Sequence, residues 1–406
     1  MKPLYGPSSS PRQPPSNGGA PLHGPSSSPH PPPSNGGAPL RGPLFGSYAA
    51  EDVAWLLKDL SHVRLEAPTE EREAAIQAGR AHYAESLPVE YQPGPEYRRL
   101  FHRALEASAE RIAYAVGLVT ELVLAERGPR TVLVSLARAG TPVGILMRRW
   151  AGFAHGLDLP HYAVSIVRAR GIDTAALRYL AAHHDPASVM FVDGWTGKGA
   201  ITRELTGALA AQPFPADLAV LADPGRCTPL FGTRDDFLIP SACLNSTVSG
   251  LVSRTVLNAD LIGPGDFHGA KFYADLAADD VSALFLDTVC ARFGDVADRV
   301  AKDLPDHRAA DRAPDWSGWA AVRRCAAAEG IDDLNLVKPG IGETTRVLLR
   351  RVPWKVLVRA DAGPEVTHIR LLAAERGVPV VEVAPGRFPY ACMGLIHPRF
   401  GKGAVQ

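Results

Sequence analysis

The sequence predicts an α/β protein with a parallel-sheet core, a smaller C-terminal α/β unit and a disordered N-terminal tail. Three observations carry this prediction. Apolar runs of strand length alternate with helical patterns from Thr131 to Ala222, as β-α units around a parallel sheet do. A second alternation fills residues 331–406. Residues 1–43 are a Pro, Gly and Ser tract that repeats itself: Gly-Pro-Ser-Ser-Ser-Pro starts at Gly6 and again at Gly24, and Pro-Pro-Ser-Asn-Gly-Gly at Pro14 and Pro32. With so few apolar side chains, such a tract cannot offset the entropy lost on ordering.

Leu44-Phe-Gly-Ser-Tyr48 opens the folded part. Glu51 to Leu60 reads as a helix, and the charge of Glu70 to Ala84 suits an exposed one. Glu96 to Arg127 is the longest helical pattern, with Leu100, Leu105, Ile112, Val116, Val119 and Val123 recurring at helical spacing until Gly128-Pro129 stops it. Strands are then expected at Thr131–Leu136, His161–Val167, Val189–Val192 and Leu218–Ala222, with a short fifth at Phe237–Ile239. Helices are expected between them at Pro142–Trp150, Thr174–His184 and Ile201–Ala211. Residues 303–330 read as a charged connector running into a helix at Trp319–Glu329. Beyond it, Val337–Arg346 opens a helix, and Trp354–Arg359, Glu365–Arg376 and Val378–Val383 read as strand, helix and strand. Arg387–Leu395 begins a last helix, so the boundaries fall at 1–43, 44–302, 303–330 and 331–406.

Composition limits the function. Lys plus Arg equals Asp plus Glu at 43 each, so no global field draws the chain to nucleic acid or membrane, and any nucleic-acid contact must be local. The five cysteines (Cys227, Cys243, Cys290, Cys325 and Cys392) contain no C-x-x-C pair, which argues against a zinc ribbon or disulfide framework and for a cytoplasmic location. The sequence has neither an apolar run of about 18 residues nor the apolar core of a signal peptide.

The chemistry gathers at two glycine loops that follow predicted strands. In Val192-Asp-Gly-Trp-Thr-Gly-Lys-Gly-Ala-Ile201, loop amides and a helix N-terminus form an anion site, with Asp193 placed to bond sugar hydroxyls. Thr196 and Lys198 could add a hydroxyl and a charge, Trp195 could pack under a sugar, and Gly197, Gly199 and Ala200 complete the turn. A Walker A loop is excluded, because Val192 and Gly199 occupy its required Gly and Ser/Thr positions. An ordinary strand-turn-helix crossover stays open. The earlier loop, Ser135 to Gly144, offers the amides of Ala139, Gly140 and Thr141 beside Arg138. Arg168 and Arg170 lie between the two loops, and Asn245 and Arg254 lie in a downstream stretch rich in small hydroxylated residues.

The Asp193 loop resembles the phosphoribosyl-diphosphate (PRPP) loop of type I phosphoribosyltransferases, with Gly194 where that family has a second acid. The resemblance implies a Rossmann-like fold and transfer of ribosyl-5-phosphate from PRPP to a base-like acceptor, with Mg²⁺ bound through PRPP and Asp193. It casts Asp193, Arg138, Arg168 and Arg170 as catalytic, with Arg168 and Arg170 on a mobile loop. The amides and side chains named above would hold substrate, and Asn245 and Arg254 would belong to a hood over the acceptor. A homodimer is allowed.

Residues 44–310 also resemble the phosphoribosyltransferase-like proteins found with bacterial tellurite-resistance and stress systems, through Val192-Asp-Gly-Trp-Thr-Gly-Lys-Gly-Ala-Ile and Leu244-Asn-Ser-Thr-Val-Ser-Gly-Leu. Members of that group are also catalogued as StiP-family cysteine proteases. That reading, with Cys227 or Cys243 as the thiol and His268 the nearest downstream histidine, ranks second to transfer. A non-catalytic RNA-binding protein that senses PRPP or a nucleotide is a further alternative.

Gly340-x-Gly342-Glu343-x-x-Arg346, followed by strand, helix and strand, resembles the Pelota and kink-turn RNA-binding superfamily, with Gly342 in place of that loop's Asn. The resemblance implies RNA contact through Lys338, Gly340, Gly342, Glu343, Arg346 and Arg350. A basic stripe of Lys338, Arg346, Arg350, Arg351, Lys355 and Arg359 would supply the field that RNA binding needs.

Overall fold

The structure, a computed structural model, describes residues 37–67, 84–90 and 94–397, without the side chains of Tyr97 and Arg350. Residues 1–36 of the expected tail and 70–83 of the expected charged helix lie outside the described residues.

The central sheet is mostly parallel. Strands β1 (Ala54–Leu56), β2 (Val132–Ala137), β3 (His161–Val167), β5 (Val189–Trp195), β6 (Leu218–Ala222) and β7 (Leu230–Thr233) run in the order β1-β3-β2-β5-β6-β7. The two-residue β4 (Gly171–Ile172) folds back antiparallel on β3. The four apolar residues Val189 to Val192 of β5 are wholly shielded because helices cover both sheet faces. One face packs on α1 (Pro95–Arg127), α2 (Thr141–His155), α5 (Ser282–Cys290) and α6 (Phe293–Ala309), the other on α3 (Thr174–His183) and α4 (Ala200–Leu209). The apolar stripe of α1 is the reason for its length: Ile112, Val116, Val119 and Val123 are fully buried against the sheet.

Four expectations are corrected. Residues 51–60 hold β1, not a helix: Val53 to Leu57 are all buried, and Ala54, Trp55 and Leu56 pair with Tyr162, Ala163 and Val164. The strand beyond β6 is Leu230–Thr233, in register with Ala219–Ala222, while Phe237–Ile239 has no regular structure. Asp303 to Arg308 belong to α6, which continues through Pro305, and the next helix, α7, spans Ser317–Ala328. The expected last helix is the strand β11 (Cys392–Ile396), buried along its whole length.

That strand organises the C-terminal sheet. Strands β8 (Val337–Pro339), β9 (Pro353–Arg359), β10 (Val380–Val383) and β11 run β8-β11-β9-β10, antiparallel except for the β9–β10 pair. Helices α8 (Ile341–Arg350) and α9 (Thr367–Glu375) pack against this sheet.

Asp173 joins the core to its irregular C-terminal part. It caps α3 by accepting from the amides of Ala175 and Ala176 at 2.9 and 3.1 Å, and its other oxygen accepts from the His268 amide at 2.6 Å. Asp173→Ala should therefore cost about 2–4 kcal/mol, a lost cap plus an orphaned buried amide. Urea unfolding measures this, and a loss under about 1 kcal/mol would mean that water or a neighbour replaces the carboxylate.

Candidate functional site

The order β3-β2-β5-β6 places a switch point between β2 and β5, where successive connections leave in opposite directions along the sheet. A crevice opens there beyond the strands' carboxyl ends. It comprises two adjoining cavities of about 230 and 490 Å³, both lined by Arg138, Ala139, Asp193, Asn245, Glu343 and Arg346. The residues following β2 and β5 thus meet the Ser241–Ser249 segment and the start of α8 at one site.

Asp193 is buried at the end of β5 and accepts from the Gly194 amide at 2.8 Å. Burial pushes its carboxyl up to about 7, with the Gly194 amide acting in the other direction. Arg138 donates to the Val252 carbonyl at 3.1 Å and lies 3.7 Å from Glu90. Glu90 in turn accepts from the amide and hydroxyl of Ser246 at 2.9 and 2.6 Å, fixing the segment that carries Asn245. Glu343 pairs with Arg346 at 2.9 Å and with Lys338 at 3.8 Å. Burial raises the Glu343 carboxyl, but the two cations outweigh burial and hold it below its ordinary range. Arg346 also donates to the Ala242 carbonyl at 3.1 Å, tying α8 to the cavity wall.

The glycine loop after β5 is covered by protein. The Gly197 carbonyl accepts from the Tyr390 hydroxyl at 3.0 Å and from the Cys227 thiol at 3.5 Å. Lys198 donates to the carbonyls of Leu334 and Val337 at 2.8 and 3.4 Å. The Thr196 hydroxyl is held by Asp223. Gly199, at φ +70°, leaves the place of a side chain to the Trp316 ring, and the Trp195 ring lies against Gly197 and Gly340. The Gly197 carbonyl, the Lys198 amine and the Thr196 hydroxyl are thus all engaged by other parts of the same chain. Gly140 and Thr141 are buried at the start of α2, whereas Ala200 is exposed at the start of α4.

Arg168 and Arg170 stand on the tight three-residue turn between β3 and β4. Arg168 donates to the Asn335 side chain at 2.9 Å, and Arg170 lies 3.9 Å from Glu85. Arg254 donates to the Ser86 carbonyl at 2.7 Å and does not line either cavity. Gly342 lines the smaller cavity and Lys338 the larger, while the Arg350 side chain lies outside the described residues. The expected basic stripe is divided: Lys355 pairs with Glu329 at 2.5 Å and Arg359 with Asp361 at 2.9 Å.

Sequence reasoning missed Asp236. Its carboxylate is half-buried and accepts from the amides of Ile341 at 3.0 and 3.2 Å and of Ala391 at 2.9 Å, fastening the C-terminal sheet to the core. Burial raises it to about 6 against the pull of those amides. The pair Asp235-Asp236, between an arginine and an apolar run, was the available signal, but it has the look of an ordinary solvated turn.

No ready cysteine–histidine pair is formed by the residues the sequence singled out. Cys227 donates to the carbonyls of Gly197 and Gly225, and burial and then Asp223 push its thiol up to about 12. The His268 ring bonds the Ser165 hydroxyl at 2.8 Å. Cys243 is buried within the cavity wall, between the lining residues Ala242 and Leu244.

Residues 46–290 match the family model described as "Tellurite-like stress resistance cysteine protease StiP". The protein named "Cysteine protease StiP" from Acinetobacter baylyi is 35% identical over 376 residues, covering 88% of this chain and 95% of its own. The chain belongs to the StiP family. Residues 316–398 match the PELOTA RNA binding domain, so this StiP-family chain carries that domain at its C-terminal end.

These matches overturn the expectation of phosphoribosyl transfer from PRPP to a base-like acceptor: the family and the relative are both named for proteolysis, the reading ranked second from sequence. The covered glycine loop gives the physical reason for the error. Its glycines accommodate close approach by other parts of the chain, which local sequence cannot distinguish from the approach of a phosphate. The stress-resistance and Pelota resemblances agree with the family matches. Among the described residues, no helix is long and apolar enough to cross a membrane.

Proposed function

We propose that the chain is a thiol-dependent peptidase of the StiP type, with its reaction centre in the crevice beyond β2 and β5. The observation that carries this reading is the buried Asp193, which titrates near neutral pH in a cavity walled by the segment that bears Cys243. Cys243 is the nucleophile; its thiol does not line the cavity here, so this role requires the Ser241–Asn245 segment to turn it toward Asp193. Asp193 accepts the thiol proton, and the thiolate attacks the scissile carbonyl carbon. The carbon–nitrogen bond breaks, Asp193 returns the proton to the leaving amine, and water hydrolyses the thioester to restore the thiol. Arg138, Arg346 and Asn245 supply donors for the oxyanion that develops. The Pelota domain gives this peptidase an RNA partner, met through Lys338, Gly340, Gly342, Glu343 and Arg346.

Cys243→Ala should abolish cleavage of unfolded casein and labelling by a peptidyl chloromethyl ketone. Cys227→Ala should retain cleavage within a few-fold, because its high pKa leaves almost no thiolate at neutral pH. The reverse pattern would move the nucleophile to Cys227. Cleavage that survives replacement of all five cysteines would end the thiol reading.

A further inference from the structure

The larger cavity opens at an edge where cations from both parts of the chain converge. Lys338, Arg346 and Arg351 line it from the Pelota domain and Arg138 from the core. Lys198 and Arg168 reach the same edge from the core, Lys198 through the carbonyls of Leu334 and Val337 and Arg168 through Asn335. Glu343 and Asp193 are the carboxylates in the cavity lining, and Glu343 is already paired with Arg346 and Lys338.

The lysines register the crowding. Burial lowers Lys198 to about 8, assisted by the charges of Lys338 and Arg168 and opposed by Glu343 and Asp333. Lys338 is lowered first by burial, and Arg351, Arg168 and Arg346 act in the same direction against Glu343. Like charges gathered this way repel, and a bound anion relieves the repulsion. The cations extend from the β3–β4 turn, through the loop after β5, to the end of α8. A row of this kind fits a chain of phosphates better than a single ion.

We propose that RNA runs along this edge with its phosphodiesters held jointly, by Lys338 and Arg351 of the Pelota domain and by Lys198 and Arg168 of the core. The RNA site is therefore shared between the two parts of the chain, and the strand passes the mouth of the cavity that contains Asp193. This inference rests on the RNA-partner reading and adds a contribution from the core that the Pelota match does not imply.

The test uses the full chain and fluorescence anisotropy with a labelled single-stranded RNA and a labelled hairpin at several salt concentrations. Arg168 and Arg351 are both exposed, so their alanine variants should keep the wild-type melting temperature. Arg168→Ala and Arg351→Ala should each weaken RNA binding several-fold and reduce the slope of log affinity against log salt by about one. Arg168→Lys should restore most of the slope, which a purely structural role through Asn335 would not produce. Weakening by Arg351→Ala alone, with Arg168→Ala matching wild type, would overturn the shared site and leave RNA to the Pelota domain. No binding to either RNA at low salt would instead defeat the RNA reading itself. Displacement of RNA by inorganic phosphate or a mononucleotide at equal phosphate concentration would reassign the edge to a small anion. Equal competition by an acidic peptide would make it a general polyanion surface, and both of these results overturn the proposal.

Discussion

Asp193→Asn is expected to reduce peptide hydrolysis by about 10²–10⁴-fold while making the folded chain more stable at pH 8. Both effects come from one buried carboxyl. Burial raises it from 3.8 to about 7, although the Gly194 amide favours its charged form. An acid that holds its proton more tightly when folded contributes stability that is fully present below about pH 4 and lost as pH rises to about 7. A shift of this size corresponds to at most about 4 kcal/mol, and Asn matches the neutral acid in shape without the charge. The variant should therefore gain on the order of 2–4 kcal/mol over wild type at pH 8 and little at pH 4. Asp236, raised to about 6 by burial, gives a slope of the same sign and remains in both proteins, so the pH dependence is reduced, not removed. Urea midpoints across pH 4–8 read the effect. Parallel curves for the two proteins would mean that Asp193 is not the titrating group, and a fully active variant would remove it from the chemistry.

The same residue shows what the sequence could reveal. An apolar run ended by Asp193 and followed by glycines reads directly as a strand end at a crevice, because a fully buried parallel strand has no polar alternation to obscure it. The long amphipathic α1 was equally plain. The segment around β1 misled because its five-residue apolar run, Val53 to Leu57, lies between Glu51-Asp52 and Lys58-Asp59 and imitates a short amphipathic helix. Strand β7 follows a Pro- and Gly-containing stretch, and its pairing with β6 cannot be read from its own four residues. The site's remaining partners were hidden by distance along the chain. Tyr390 bonds Gly197 and Asp236 bonds Ile341, contacts that depend on how two sheets dock and not on any local spacing. Reaction type was the least legible feature, since a glycine-rich turn at a helix N-terminus serves equally for an anion or for another loop of the same chain.

Gly225→Ala tests that second use of glycine, and it should be among the most damaging single-methyl changes in the protein. A Cβ at Gly225 would stand 1.6 Å from the Gly197 carbonyl oxygen and 2.5 Å from its carbon. These are backbone atoms, so no side-chain rotation relieves the clash. The Gly225 amide also donates to the Thr196 carbonyl at 3.2 Å, and its own carbonyl accepts from the Gly318 amide at 3.2 Å at the start of α7. Moving Gly197 away would strain the Tyr390 and Lys198 contacts together, so the cost falls on the junction between core and Pelota domain. Destabilisation of about 3 kcal/mol or more is expected, the upper end for an overpacked site. Tyr390→Phe is the comparator: it removes one hydrogen bond without adding volume and should cost about 1 kcal/mol. Urea unfolding ranks the two variants, and hydrogen exchange across residues 194–199 and 316–320 locates the change. If Gly225→Ala unfolds within about 1 kcal/mol of wild type with those segments still protected, the two loops are not held in the contact described here.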